Sequence, residues 1–183
     1  RLGTKHLFVM RVRSMQIKES GIRRNRRRVM DKKKEPMKFK DNILYVSRMS
    51  KSAVLPTRAN NNDAGFDLYT PTAVTVNCGK VEKIPTNLKM AIPDGYCGMV
   101  CSRSGLAVKD GIVSHIRPGI IDSGYRGELI VVLKNEGDKD KHFQAGDRVA
   151  QLVLTKIFVD DIEESKELPS SVRGEGGFGS SGK

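Results

Sequence analysis

The chain has no tryptophan, and aromatic residues make up only 5% of it. Any core must therefore be built from aliphatic side chains, and 38% hydrophobic residues over 183 positions supply enough of them. No apolar run comes near the ~20 residues that a membrane-spanning helix requires, so no membrane partner is expected. Cysteine is scarce, with Cys78, Cys97 and Cys101 alone. Three thiols cannot all pair within one chain, and none shows CxxC spacing, which excludes a disulfide-built fold. A zinc site would need a fourth ligand such as His115; buried strand thiols in a reducing compartment are the better reading.

Acids are nearly missing from the first 36 residues, where 13 Lys and Arg meet only Glu19, Asp31 and Glu35, a net charge of +10 out of +12. Residues 37–183 are close to neutral, at +2. The basic pI thus belongs to a leader, residues 1–36, whose "GIRRNRRRVMDKKKEP" has little to bury and is expected to be disordered. Its readings stay open. Basic clusters at residues 23–28 and 32–34 suit a nuclear-import signal or non-specific contact with nucleic acid. An Arg-rich leader also resembles a mitochondrial transit peptide, against which Glu19 and Asp31 count. A nuclear, cytoplasmic or mitochondrial address follows from the choice.

Helical periodicity is missing too. Over residues 37–160 no window sustains a 3.6-residue repeat, and one short, weak helix is expected near residues 162–168. From Ala73 the chain reads as short strands: "AVTVN", "KVEKIPT", "LKMAI", "GMVCSR", "GELIVVLKNEG" and "DRVAQLVLTKIFV". Turns at Asn77-Cys78-Gly79, Pro93-Asp94-Gly95, Asn135-Glu136-Gly137-Asp138 and Ala145-Gly146-Asp147 separate them. This spacing predicts an all-β, antiparallel sandwich or barrel.

Chemistry-bearing residues collect beside these strands in five clusters: "DAGFDLYT" (63–70), "SRSGLA" (102–107), "GIIDSGYRGEL" (119–129), "GDRVAQLVL" (146–154) and "RGEGGFGSSG" (173–182). Singly, Asp122-Ser123-Gly124, Gly146-Asp147 and Arg103-Ser104-Gly105 are each an ordinary turn. The glycine tail fits GxxxxGK and GxGxxG, but both phosphate loops need a helix after the glycines to supply N–H donors. None can follow Lys183, so a flexible linker and a phosphate grip remain as readings.

In order and spacing, the five clusters resemble the five motifs of the trimeric dUTP diphosphatases (dUTPases), across about residues 50–183. The resemblance implies an all-β, jelly-roll-like antiparallel subunit over residues 37–172. It further implies a homotrimer with sites shared between subunits, and Mg²⁺-assisted hydrolysis of dUTP to dUMP and pyrophosphate. It casts Arg103, Ser104, Gly105 and Gln151 as phosphate donors, which suits a rigid guanidinium fork, a hydroxyl and close backbone approach. Asp122 becomes the carboxylate that positions and deprotonates water at the α-phosphorus. Tyr125 would stack under deoxyribose and leave no room for a 2′-hydroxyl. Backbone groups of residues 119–125, including Gly119 and Ile121, would read uracil, with Ile120 and Ile121 shaping the pocket. Asp67 would hold a metal-bound water. Residues 173–183 become a lid in which Arg173 meets the terminal phosphate, Phe178 stacks on uracil, and Gly179 and Ser180 donate to phosphates.

Some positions depart from the family pattern. Ser102 stands where proline often precedes Arg-Ser-Gly, Arg117 adds a charge beside the pocket, and Glu175 is expected to point to solvent. A related fold could instead serve dCTP deamination or an inactive nucleotide binder, whereas a nucleic-acid module could rest only on the leader.

Overall fold

The segment "ELIVVLKN" shows why this sequence forms sheets. Leu129, Val131, Leu133 and Asn135 are buried, while Ile130 between them is exposed. Burial with a period of two is the signature of a strand with one face on a core. A computed structural model of the chain describes Lys40 and residues 43–177. The leader, and Phe178, Gly179 and Ser180 of the expected lid, lie outside the described residues.

The described strands are β1 (Tyr45–Arg48), β2 (Gly65–Tyr69), β3 (Val74–Val76), β4 (Val81–Ala91), β5 (Tyr96–Cys101), β6 (Ile112–Ser114), β7 (Gly119–Ile121), β8 (Glu128–Asn135), β9 (Lys141–Phe143) and β10 (Arg148–Lys156). Among the described residues a single helix, α1 (Ser104–Asp110), interrupts them. One sheet has the order β1-β4-β8-β6, a second β2-β10-β5-β7, and β3 pairs with β9. Every pairing is antiparallel. This is the all-β, jelly-roll-like architecture expected from the sequence.

The two larger sheets close on one aliphatic core. Ile84, Leu129 and Leu133 come from the first, and Leu68, Val100 and Leu152 from the second. Each such side chain, removed from water, stabilises the fold by about 1.5–3 kcal/mol. Gly98 lets the sheets approach: a Cβ there would lie 2.9 Å from both Ile92 Cδ1 and Leu152 Cδ1. Buried Asn135 is fully used, donating to the carbonyls of Val76 at 2.8 Å and Lys139 at 2.7 Å and accepting from Gly137 N–H at 3.0 Å. It fastens the β8–β9 turn to the ribbon.

Several local expectations are corrected. "KVEKIPT" and "LKMAI" form one strand, β4, with a register shift between Pro85 and Lys89 around Asn87, whose φ is 54°. No helix forms over residues 162–168. Ile162 and Leu168 are exposed there, so no buried face repays the cost of nucleating a helix. The helix falls instead at α1, so residues 103–105 open a helix rather than form a turn. Gly111 ends α1 in the left-handed region (φ 66°), and its carbonyl accepts from Glu136 N–H at 2.8 Å. A Cβ on Gly111 would meet Gly137 N at 2.5 Å, so the helix is seated by a backbone-to-backbone approach that only glycine permits. Among the cysteines, Cys97 is buried in β5 and Cys101 half-buried at its end, but Cys78 is exposed in the turn after β3.

Candidate active site

The row Asp67–Gln151–Cys101 crosses three neighbouring strands, since Gln151 of β10 faces Asp67 of β2 and Cys101 of β5. Registered antiparallel partners share a face, so this row carries two chemically active side chains to the end of β5. The chain then turns through Ser102 into α1. Gln151 donates its amide N–H to the Ser102 carbonyl at 2.9 Å. Gly65 makes room for it, as a Cβ there would meet Gln151 Oε1 at 2.5 Å. The Ser102 hydroxyl, in the place of the expected proline, accepts from Ser114 N–H at 2.7 Å and ties the loop to β6.

Arg103 occupies the N-cap position of α1 without capping it, and no acid lies in the first turn. The backbone N–H groups of Ser104 and Gly105 therefore open the helix with no side chain of the cap residue upon them. Arg103 turns to Asp67 instead, its Nε 3.0 Å from Oδ1, and its Nη1 donates to the Arg148 carbonyl at 3.4 Å. Arg148 Nη1 takes the other Asp67 oxygen at 3.2 Å. One carboxylate thus orients two guanidinium groups at the mouth of a cavity of about 220 Å³ lined by Arg103, Arg148, Lys141 and His142 among others. Arg148 was visible only as part of a cluster; nothing in its spacing marked it as the partner of Asp67.

Among the described residues, no group of three or more His, Cys, Asp or Glu could hold a metal ion by protein ligands alone. A metal ion carried in by a ligand's own oxygens and by water would need no such group. Asp67 keeps lone pairs beyond its two arginine contacts, and these can accept from a metal-bound water.

The second half of the expected site is elsewhere. β7 pairs with β5 so that Ile121 faces Gly98 and Gly119 faces Val100. Asp122 follows Ile121, and its carbonyl accepts from Tyr125 N–H at 3.1 Å to close the turn. Arg126 Nη1 locks that turn from outside through the carbonyls of Ser123 at 2.5 Å and Tyr125 at 2.9 Å. Ile120, Ile121, Asp122, Tyr125, Glu128 and Ile130 line a cavity of about 230 Å³. The Asp122 side chain enters no ion pair with another described residue.

Register sets the distance between the halves. Ile121 faces Gly98, so the next residue, Asp122, falls at about the level of Cys97, six residues before Arg103; at 3.3 Å per residue that is about 20 Å. One chain brings together Asp67, Arg103, Ser104, Gly105 and Gln151. It gathers Gly119, Ile121, Asp122 and Tyr125 separately.

Arg117 leaves the pocket alone. Its guanidinium pairs with Glu136 and donates through Nε to the Ser114 carbonyl at 2.9 Å. The hydrogen bond from Arg117, with help from Lys134, holds the Glu136 carboxyl below the usual carboxylate range. Burial pushes the Cys101 thiol up, which makes it a poor nucleophile despite its place next to Ser102 and Arg103. In the tail, Arg173 donates to the Gly176 carbonyl at 2.8 Å, Gly174 has φ 52°, and Glu175 is exposed as expected.

The dUTPase family model matches residues 51–182, which covers both halves and the tail. The chain belongs to the dUTPase family. A deoxyuridine 5′-triphosphate nucleotidohydrolase of Debaryomyces hansenii is 46% identical over 142 residues, spanning 76% of this chain and 88% of that protein. One from Clostridium tetani is 41% identical over 140 residues, covering 76% and 97%. Among solved structures, a mutant of the Staphylococcus bacteriophage 80alpha dUTPase with dUpNHpp aligns with a TM-score of 0.72 at 32% identity, over 78% of this chain and 99% of that one. A mutant dUTPase of phage phi11, described with a structural Mg(II) ion, aligns with a TM-score of 0.63 at 29% identity, over 69% and 98%. The matched region thus covers the described strands from β2 onward, while β1 and residues 1–36 lie outside it.

Proposed function

We propose that this member of the dUTPase family hydrolyses dUTP to dUMP and pyrophosphate by water attack at the α-phosphorus. The observation that carries the reading is the pairing of an open helix start, flanked by two arginines fixed on Asp67, with a second pocket of nucleoside size holding Asp122 and Tyr125. The first half meets a triphosphate with guanidinium groups and backbone N–H donors. The second offers a carboxylate beside an aromatic ring in a mostly apolar hollow.

In this reading Asp122 takes the proton of the attacking water as its oxygen bonds to the α-phosphorus. The bond from that phosphorus to the bridging oxygen breaks, and pyrophosphate leaves with the electron pair. Arg103, the N–H groups of Ser104 and Gly105, and Gln151 hold the phosphates in line; alignment and charge stabilisation supply most of the acceleration. Asp67 would hold Mg²⁺ through water, and the ion would supply neutralisation of phosphate charge. Tyr125 stacks under the deoxyribose, and backbone groups of residues 119–125 read uracil. Arg173, Phe178, Gly179 and Ser180 close over the phosphates and base. Pyrophosphate release from dUTP, with neither ammonia from dCTP nor comparable turnover of UTP, is the expected result. Ammonia release from dCTP would move the chain to the deaminase reading.

We further propose a homotrimer whose sites combine Asp122 of one subunit with the phosphate donors of another. A separation of about 20 Å within one chain supports this reading, since a nucleoside triphosphate would touch both halves. Ile116, Ile120, Ile130 and Tyr125 leave an apolar surface open beside Asp122, and Phe158, Ile162 and Leu168 are exposed along the segment before the lid. Both suit burial against a further copy. Co-refolding Asp122→Asn chains with Arg103→Ala chains tests the idea. Random assembly would place both intact groups in about one quarter of the sites and restore turnover that neither variant has alone. A mixture as inactive as its parents would mean that each site belongs to one chain.

A further inference from the structure

Tyr125 folds back over its own chain. Its hydroxyl donates to the Glu128 carbonyl at 3.0 Å, and its ring lies across Gly127. A Cβ on Gly127 would stand 2.5 Å from the ring's Cζ and 2.9 Å from Cε2, and closer still to the hydroxyl oxygen. The backbone of Gly127 is not in the left-handed region, so its conformation is open to any residue. What a side chain would lack there is the space the ring occupies.

The opposite side of that ring is open. Tyr125 is 43% exposed and lines the cavity it shares with Asp122 and Ile120. Behind it stand the bare Gly127 and the bond to Glu128, and both set its height above the backbone. A methyl group at 127 would lift or tilt the ring, break that bond, and shift the surface offered to the sugar by about the radius of a carbon atom. Displacements near 1 Å at a reacting site are enough to cost about 10²-fold.

We infer that Gly127 is a positioning residue for sugar discrimination, acting through Tyr125. This rests on the reading of Tyr125 as the ring beneath the deoxyribose. The glycine keeps the ring low enough to accept deoxyribose and steady enough to reject a 2′-hydroxyl.

A double-mutant cycle on the full chain tests it, with kcat/KM measured for dUTP and UTP in wild type, Gly127→Ala, Tyr125→Ala and the double variant. Gly127→Ala is expected to lower the dUTP-to-UTP ratio by at least about tenfold, and adding it to Tyr125→Ala is expected to change that ratio no further. A purely structural role would lower both substrates together and leave the ratio in place, which overturns the inference. So would additive effects in the double variant. If Tyr125→Ala itself leaves the ratio unchanged, the sugar reading fails first, and the inference falls with it for that separate reason. Should Gly127→Ala fail to fold while the double variant folds, the collision with the ring is located and the inference stands. If both fail to fold, the glycine serves something other than the ring, and the inference is overturned.

Discussion

Asp122→Asn lowers kcat for dUTP by about 10²–10⁴, the range that a lost general base accounts for. The change is nearly isosteric, but an amide nitrogen cannot take the proton that a carboxylate oxygen accepts. The fold has little reason to respond. Asp122 is exposed and enters no ion pair with another described residue, and its contribution to the turn is made by the main-chain carbonyl that receives Tyr125 N–H. Thermal melting should therefore match wild type. KM should change little while kcat falls, which marks an interaction made in the transition state rather than the ground state. Steady-state pyrophosphate release and a circular dichroism melt read both quantities. Full activity in the asparagine variant would remove Asp122 from the mechanism.

Removing residues 173–183 is expected to leave a folded protein with kcat/KM for dUTP at least about 10²-fold lower, the loss typical of a single missing charge-stabilising donor. Stability should be kept because the buried core runs from Ala53 to Leu152 and the last strand ends at Lys156. Activity should fall because the segment brings a further guanidinium, a second ring and additional N–H groups to the site. Among the described residues, Arg173 Nε donates to the nearby Gly176 carbonyl and to no strand. Five glycines in residues 173–182 give the segment the backbone freedom to fold around a ligand. Undiminished turnover in the truncated chain, with an unchanged melt, would make the tail a linker.

The parts that could be read from the sequence are those in which a residue acts by its own chemistry. Asp122, Arg103 and Gln151 stand out only together, through the order and spacing of the five clusters that carry the resemblance; singly, each sits in an ordinary turn or strand. The β architecture was readable because Leu129, Val131 and Leu133 alternate on a strand long enough to show it. β6, β7 and β9 have three residues each, too few for alternation to register. The helix was misplaced for a related reason. "SGLAVKD" has no fully buried residue and carries a glycine at its second position, so α1 shows no amphipathic pattern, and the Gly111–Gly137 contact seats its end. "IEESKEL", at residues 162–168, is richer in helix-forming residues but has nothing to pack against.

By itself, then, the sequence determined the fold class, the inventory of reactive groups, and their order along the chain. Tertiary structure decided which of those groups share a place. Strand register put Asp67 opposite Gln151 and sent Asp122 to the far end of β5, because antiparallel pairing converts residue offset directly into distance. Packing decided what the glycines are for: Gly65 clears Gln151, Gly98 lets two sheets close, and Gly127 lies beneath a tyrosine ring. A glycine in a sequence shows only that a side chain is absent, and what that absence makes room for comes from elsewhere in the chain.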